Sequence, residues 1–494
     1  MKYLSTRDKT LAFPAADAIK MGLSRDGGLF TPASFPTIDE ATIKSLCGMR
    51  YQERAAKIMK LFLDDFSEEE LLQFAENAYN GEKYDTAAVA PLREVDAKTH
   101  CLELWHGPTS AFKDMALQML PQLLSASLKK TGEDKTVCIL VATSGDTGKA
   151  AMEGFADVDQ TKILVFYPKD GVSSVQEQQM VTQEGKNVGV CSVIGNFDDA
   201  QNGVKRIFSD VEIREELNRR GYFLSSANSI NWGRILPQVV YYVSAYCDLL
   251  RDGKIAMGDK VNYCVPTGNF GNILAAYYAK KMGVPVGKLI CASNCNDVLT
   301  EFIRTGVYNR NRPFHTTMSP SMDILISSNL ERMLFELSGC NDEEVRGYMK
   351  KLVEEGGYTV SDSIRTQMQE LFWGGFCNEE ETEKTIGEYY KTGYLIDTHT
   401  AVAANVLAQY RAETGDDAVT VFVSTASPYK FCDHVLRAIG EEVEGEGVEQ
   451  IDQLLRVTGV AAPSRLAALK GKARRFDDCT EKQAMEGKVL EFLR

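Results

Sequence analysis

The sequence is poor in the features that mark several common classes of protein. It holds five histidines in 494 residues and no HxxxH pair, which disfavours a zinc enzyme built on that motif. Its twelve cysteines are spread along the chain without a CxxC pair, which predicts neither a disulfide scaffold nor a metal site. It also lacks a Walker A loop and a GxSxG elbow, so NTPase and hydrolase functions are disfavoured.

Positive charge and long apolar runs are equally scarce. The formal net charge is −14 and no run of five or six Lys or Arg occurs, which argues against a nucleic-acid partner. No stretch reaches the about 18 apolar residues that a membrane helix needs. The first residues, MKYLSTRDKT, lack the apolar core of a secretion signal. We therefore expect a protein of the reducing cytoplasm with no membrane partner.

The length and the punctuation of the chain predict several units. A chain of 494 residues is too long for one hydrophobic core and fits two or three domains. Residues 1–95 indicate a module of mixed helix and loop. Residues 96–450 form the predicted core of two subdomains, the smaller at about 125–245, and residues 451–494 form a predicted helical extension.

A repeated pattern indicates the fold class of the core. Short apolar runs are each followed by a loop rich in glycine or small polar residues, and then by a helical pattern. The four clearest examples are TVCILVATSGDTG, KILVFYPKDG, VNYCVPTGNFGN and VTVFVSTASP. Buried strands that alternate with helices predict an α/β fold with mainly parallel sheets. Ligands of such sheets bind at the carboxyl ends of the strands, where these loops lie.

The loop PTGNFGN is the most informative of these. Gly268 and Gly271 allow the backbone to approach an anion closely, and the helix that follows directs its first amides and its dipole towards negative charge. The sequence therefore predicts a phosphate site here. An ordinary strand-to-helix turn is the structural alternative.

The loop SGDTG, residues 144–148, repeats this arrangement after another strand. Its amides and hydroxyls suit a carboxylate or a phosphate, but the charge of Asp146 must be offset or turned aside. A plain turn is again the alternative.

Three further segments hold candidate side chains. Lys113 in ELWHGPTSAFKD lies in a polar and aromatic stretch rather than on a charge-rich face. A lysine used as a nucleophile or base needs a partly apolar or cation-rich pocket to lower its pKa. Asn231 and Arg234 in SANSINWGR are donors suited to phosphate or carboxylate. Thr425 in STASPYKF would stand at the end of a strand. A surface helix start, an exposed arginine and a turn hydroxyl are the respective alternatives.

Taken together, the segments resemble the threonine synthase family, in its bacterial and fungal branch. The resemblance covers nearly the whole chain, because its motifs occur in the order of the family. They are YLSTRD, RDGGLFTP, ELWHGPTSAFKD, ATSGDTGKAA, SSVQEQQM, SANSINWGR, VPTGNFGN, SPSMDILISSNLER, DTHTAV and STASPYKF. Thr398 stands where relatives often carry proline, and Ser427 where they often carry histidine.

The resemblance implies a fold, a cofactor and a set of site residues. The fold would be the tryptophan synthase β-like, fold type II class, with pyridoxal phosphate in the cleft between the two subdomains. Lys113 matches the lysine that holds the cofactor, and Thr425 the hydroxyl beside its pyridine nitrogen. The cofactor's phosphate would lie on Gly268, Asn269, Phe270, Gly271 and Asn272. Ser144, Thr147, Asn231 and Arg234 resemble groups that hold the substrate.

The implied reaction is that of a lyase of threonine biosynthesis. O-phospho-L-homoserine and water would give L-threonine and phosphate by γ-elimination and β-addition, without a metal, in a monomer or homodimer. Two alternatives stay open at this point. One is another lyase of the same fold, such as a threonine or serine dehydratase. The other is a non-catalytic protein that keeps the pocket and binds a phosphorylated amino acid.

Overall fold

The computed structural model describes residues 1–494, apart from the side chain of residue 198. The strands, in chain order, are β1 (Tyr3–Ser5), β2 (Ala12–Phe13), β3 (Phe30–Pro32), β4 (Leu92–Asp96), β5 (Thr99–Glu103), β6 (Thr136–Ala142), β7 (Thr161–Pro168), β8 (Val188–Ile194), β9 (Tyr222–Ser225), β10 (Val261–Pro266), β11 (Val286–Ser293), β12 (Val307–Asn309), β13 (Gly357–Thr359), β14 (Phe372–Phe376), β15 (Thr420–Ser424) and β16 (Cys479–Glu481).

The helices connect these strands and cover both faces of the larger sheets. They are α1 (Ala15–Met21), α2 (Glu40–Cys47), α3 (Tyr51–Lys60), α4 (Glu68–Ala78), α5 (Asp114–Leu117), α6 (Leu120–Lys130), α7 (Asp146–Phe155), α8 (Ser174–Val181), α9 (Phe197–Ser209), α10 (Val211–Arg219), α11 (Trp232–Arg251), α12 (Gly271–Lys281), α13 (Val298–Thr305), α14 (Leu330–Leu337), α15 (Asp342–Glu354), α16 (Asp362–Leu371), α17 (Glu379–Lys391), α18 (Thr398–Thr414), α19 (Cys432–Ala438), α20 (Val448–Thr458), α21 (Ser464–Ala467) and α22 (Met485–Phe492).

Two parallel sheets form the core, as the α/β prediction requires. The larger has the order β14-β11-β10-β15-β5-β4 and the smaller the order β16-β8-β7-β6-β9. All neighbours are parallel except β4, which runs antiparallel to β5. The four apolar runs singled out in the sequence are β6, β7, β10 and β15. The predicted fold class is confirmed.

The amino-terminal module differs from the prediction in one respect. It contains a small antiparallel sheet of order β2-β1-β3 beside its helices α1 to α4. Strands of two or three residues are too short to show an alternating pattern, so they could not be predicted from the sequence. The same sheet places Tyr3 and Phe30 in the main hydrophobic core, where they are fully buried.

The predicted boundaries and the carboxyl-terminal extension also differ from the structure. Position 95 falls inside β4, and position 245 falls inside the almost wholly buried helix α11. The last segment is not only helical, because β16 pairs with β8 and α22 buries Met485 and Val489 against the small sheet. No helix among the described residues is long and apolar enough to cross a bilayer.

Candidate active site

Lys113 lies in the connection between β5 and α5, at the carboxyl edge of the large sheet. The segment that precedes it pairs with the loop after β15. The amide of Phe112 donates to the carbonyl of Thr425 at 2.8 Å, and that of Ser427 to the carbonyl of Ser110 at 3.0 Å. Ser110 adopts left-handed backbone (φ 59°) to make this turn. The pairing places the main chain of Thr425 opposite Phe112, the residue next to Lys113.

The amine of Lys113 is buried among charges of both signs. Its Nζ donates to Ser321 Oγ at 3.2 Å and lies 4.0 Å from Asp146 Oδ2. Burial lowers the pKa of Lys113 to about 8; the carboxylate of Asp146 opposes this shift, and the cations Arg234 and Lys430 add to it. Lys113 therefore loses its proton far more readily than a surface lysine does, as a nucleophile or a general base must.

The charge of Asp146 is offset by a second buried lysine. Lys430 Nζ lies 2.6 Å from Asp146 Oδ1, and both side chains are almost completely buried. Gln176 Nε2 donates to the same oxygen at 2.8 Å. Although burial raises the pKa of Asp146, the charges of Lys430 and Lys113 outweigh it and hold that pKa well below its usual range. Asp146 thus stays ionised and faces Lys113.

The loop between β10 and α12 has the form of an anion cradle. A Cβ on Gly268 would stand 2.6 Å from the carbonyl oxygen of Ser321, so only glycine fits there. Phe270 begins the helix with left-handed backbone (φ 62°). Within the described part of the chain, none of the amides of residues 268–272 donates to a protein acceptor. The buried Nδ2 of Asn272 also has no partner, while its Oδ1 accepts from Tyr241 and Tyr242.

The loop between β6 and α7 is a second, smaller group of donors. Thr143 Oγ1 accepts from the amides of Gly145 and Gly148 at 3.0 and 2.9 Å, which shapes the turn. Across the described residues, the amides of Ser144, Asp146 and Thr147 make no hydrogen bond to the protein. Ser144 and Thr147 are half-buried. Both side chains that the sequence predicted here are therefore partly exposed.

Arg234 is a buried cation without an acidic partner in the described structure. It is 3% exposed, its Nε has no acceptor, and its guanidinium bonds only to the carbonyl of Ala227. Burial lowers its pKa to about 10, so it remains charged. A buried, unpaired guanidinium is costly, and an anionic ligand would relieve that cost.

Asn231 has a structural part that the sequence did not predict. It is the N-cap of α11, with Oδ1 accepting from the amide of Gly233 at 2.9 Å. Its Nδ2 donates to the carbonyls of Ile19 and Ser226 at 3.0 and 3.3 Å. Both ends of the amide have partners within the fold, so Asn231 positions α11, which carries Arg234.

Three residues of the site had no individual assignment from the sequence. They are Lys430, Ser321 and His399, all inside the recognised motifs. His399 Nδ1 lies 2.8 Å from Asp397 Oδ2, and its Nε2 accepts from the amide of Ser321 at 3.2 Å. This contact holds the 3-10 turn Pro320–Met322 over Lys113. The three belong to distant segments, so no local pattern could have grouped them.

The residues present fit pyridoxal phosphate. A lysine with a lowered pKa suits an aldehyde, and the unpaired amides and Asn272 Nδ2 suit a phosphate dianion. The carbonyl of Thr425 accepts from the amide of Phe112, the residue before the same lysine. In the described residues no group of three or more His, Cys, Asp or Glu is placed to hold a metal ion.

Comparison with known proteins agrees with the fold class and with pyridoxal phosphate as the cofactor. Residues 89–363 match the family described as pyridoxal-phosphate dependent enzyme, which gives the class of the chain. Residues 2–79 match the threonine synthase N terminus and residues 400–489 the threonine synthase C-terminal domain. The chain belongs to the threonine synthase family.

Individual relatives show how far the likeness extends. Threonine synthase of Pseudomonas aeruginosa is 40% identical over 100% of this chain and 98% of its own length. The crystal structure of pyridoxal-phosphate-bound threonine synthase from Brucella melitensis has a TM-score of 0.88 and 38% identity, and the match covers 100% of both chains. Human threonine synthase-like 1 is 40% identical over 86% of this chain, which spans 58% of that longer protein.

Proposed function

We propose that this chain uses pyridoxal phosphate, held by Lys113, to convert O-phospho-L-homoserine and water into L-threonine and phosphate. The observation that carries the proposal is the position of the Lys113 amine. It lies among two further cations and one carboxylate, between two loops with unpaired amides. A cofactor phosphate and a doubly anionic substrate would supply the negative charge that this set lacks. The names of the family members supply the reaction.

The two loops and Arg234 divide the anions between them. The acid-free loop 267–272 takes the cofactor's phosphate, because it offers five neighbouring amides at a helix N-terminus. The substrate binds to the loop 144–148, through Ser144, Thr147 and their amides, and to the unpaired Nε of Arg234. The cofactor then lies in the cleft between the two parallel sheets.

Pyridoxal phosphate, when bound, supplies a ring that accepts electrons from the substrate's α carbon. The chain supplies the proton transfers. Lys113 takes a proton first from Cα and then from Cβ of the substrate, and phosphate leaves from Cγ. One proton returns to Cγ, water adds its hydroxyl at Cβ, and a second proton returns to Cα to give threonine. Binding the substrate at both anionic ends holds Cα and Cβ near Nζ, and this proximity provides much of the rate.

Thr425 tunes the same chemistry from the other side. A hydroxyl at the pyridine nitrogen leaves the ring less fully protonated than a carboxylate would, which favours elimination over transamination. The amide of Phe112 donates to the carbonyl of Thr425 at 2.8 Å, and this hydrogen bond links Thr425 to the residue next to Lys113. Both groups therefore act on one ligand.

Arg234 distinguishes the proposal from its alternatives. A dehydratase of the same fold acts on a substrate without a phosphate, so the cofactor's phosphate is the only one that it binds. It does not need a buried cation that lacks an acidic partner, as Arg234 does. A non-catalytic binding protein has no use for an amine whose pKa lies at about 8. Release of phosphate and threonine in equal amounts from O-phospho-L-homoserine supports the proposal, and phosphate without threonine contradicts it.

Lys113→Ala tests the central residue. We expect turnover to fall by at least about a thousandfold and covalent cofactor to be lost, because no other group replaces the amine at Cα. The measurements are the joint product assay and the mass of the protein after borohydride reduction with cofactor. Lys162→Ala, at a half-buried lysine of β7, is the control and should keep both. A Lys113→Ala protein that retained both properties would refute the assignment.

The setting of the enzyme is also part of the proposal. We propose a cytoplasmic enzyme that acts on a small molecule, as a monomer or homodimer, without nucleic-acid or membrane partners. The charge of −14 and the twelve free thiols support it. Size-exclusion chromatography with light scattering measures the oligomeric state directly.

A further inference from the structure

Asn329 lies directly against the loop that we assign to the cofactor's phosphate. It immediately precedes α14 and has no exposed surface. Its amide donates to the carbonyl of Asn269 at 3.1 Å, so main-chain pairing ties it to the middle of the loop. The resemblance to the family assigned no part in the site to this residue.

The orientation of the Asn329 side chain is set by an arginine. Its Oδ1 accepts a hydrogen bond from the buried guanidinium of Arg332, which is anchored on the carbonyls of Phe30 at 2.8 Å and Ile230 at 2.6 Å. A guanidinium can only donate, so the oxygen of Asn329 must face Arg332 and the nitrogen must point away from it. The N and O positions of this amide are thereby determined by chemistry.

The nitrogen points at the loop. Asn329 Nδ2 is buried, has no acceptor among the described residues, and lies 3.3 Å from where a Cβ of Gly271 would stand. Gly271 is the first residue of α12, next to the unpaired amides of residues 268–272. A buried amide donor without an acceptor is destabilising, and an anion on the loop would accept from it.

We propose that Asn329 donates a hydrogen bond from Nδ2 to the phosphate group of bound pyridoxal phosphate, with Arg332 as the residue that positions it. The inference rests on the proposed binding of that phosphate to the loop 267–272. It gives the amino-terminal module a function as well, because the carbonyl of Phe30 in β3 holds Arg332. The cradle is then built from three segments of the chain.

Asn329→Asp tests the hydrogen bond with little change of shape. The aspartate keeps an oxygen for Arg332 but replaces the donor with a negative oxygen that faces the phosphate. Apo-protein is titrated with pyridoxal phosphate and, separately, with pyridoxal, which lacks the phosphate. We expect the affinity for pyridoxal phosphate to fall at least about tenfold, because a bond to a charged group is lost, and that for pyridoxal to stay within about twofold. Equal loss of both affinities, or loss of neither, overturns the inference.

Three further variants serve as controls for Asn329→Asp. Asn329→Ala removes the donor without adding charge; it replaces Asn329→Asp if thermal unfolding shows that the latter does not fold, with the same expected ratio of affinities. Asn405→Asp adds a carboxylate to α18, where Gln409 can still donate to it, and should leave both affinities unchanged. Asn272→Asp probes the loop itself. If it changes the ratio and Asn329→Asp does not, only this inference fails; if neither does, the placement of the phosphate on the loop fails too.

Discussion

The two glycine loops look alike in sequence and differ in electrostatics. Each follows a buried parallel strand and begins a helix, α7 for residues 144–148 and α12 for residues 267–272. The first loop contains Asp146, which forms an ion pair with Lys430 and faces Lys113. Two amides of its turn donate to the hydroxyl of Thr143. The second contains no acid and leaves the amides of residues 268–272 without protein acceptors in the described structure. The two similar backbones thus differ in what they present. The first loop places the carboxylate of Asp146 near the Lys113 amine, and the second leaves its amides free to bind a dianion.

The largest effect is expected from removing the buried ion pair between Lys430 and Asp146, which only the first loop has. Lys430→Met leaves Asp146 buried without its main partner, and we expect the free energy of unfolding to fall by about 3–5 kcal/mol. The double variant Asp146→Asn, Lys430→Met should recover most of that loss, since no uncompensated charge is left. Urea unfolding of the two variants and the parent measures both effects. A single variant as stable as the parent would show that the pair does not shape the first loop.

Arg234 separates substrate binding from cofactor binding. Arg234→Gln removes a charge beside Lys113 and changes no residue of either glycine loop, so we expect KM for O-phospho-L-homoserine to rise by about 10- to 100-fold, equivalent to a charged hydrogen bond. The affinity for pyridoxal phosphate should change by less than about threefold. Steady-state kinetics and cofactor titration give the two numbers. An unchanged KM would remove Arg234 from the substrate site.

The pH dependence of Lys113 sharpens the comparison with a smaller effect. Only neutral Lys113 attacks the cofactor's aldehyde, so the rate at which apo-protein takes up pyridoxal phosphate should rise with pH and reach its midpoint near about 8. Asp146 stabilises the ammonium form more than Lys430 destabilises it. The double variant Asp146→Asn, Lys430→Met should therefore move the midpoint down by roughly one unit.

The sign of the matching stability effect follows from the same shift. The pKa of Lys113 in the folded chain, about 8, lies below the unfolded value of 10.5, so between these values the unfolded chain binds more protons. This residue therefore makes the folded state more stable as pH rises through that range, and its penalty is complete below about 8. A midpoint of uptake that stayed near 10.5 would contradict both statements.

Much of the fold was predictable because it depends on local patterns. The apolar runs of β6, β7, β10 and β15 are long enough to indicate buried strands, and each glycine loop follows its strand directly. Asn231 shows the limit of this reasoning. A donor three residues before Arg234 suggested a ligand, but the carbonyls of Ile19 and Ser226 accept from its amide nitrogen, and Ile19 lies in a distant segment of the chain.

The carboxyl-terminal segment shows the same limit for a whole element. The three residues of β16 carry no strand pattern, and they extend the small sheet only because β8 offers a free edge beside them. The sequence predicted a helical extension over residues 451–494 instead. A strand defined by its partner cannot be read from its own residues.

By itself, the sequence determined the α/β class and the two glycine turns that follow β6 and β10, since periodicity and glycine act over a few neighbouring residues. Lys113 was singled out only through the resemblance to the family. Only the tertiary structure decided that Lys430 neutralises Asp146, that His399 holds Ser321 over Lys113, and that Arg234 and Asn329 keep buried donors unpaired. Burial and charge pairing depend on which distant segments meet, and that is settled when the sheets and the amino-terminal module pack together.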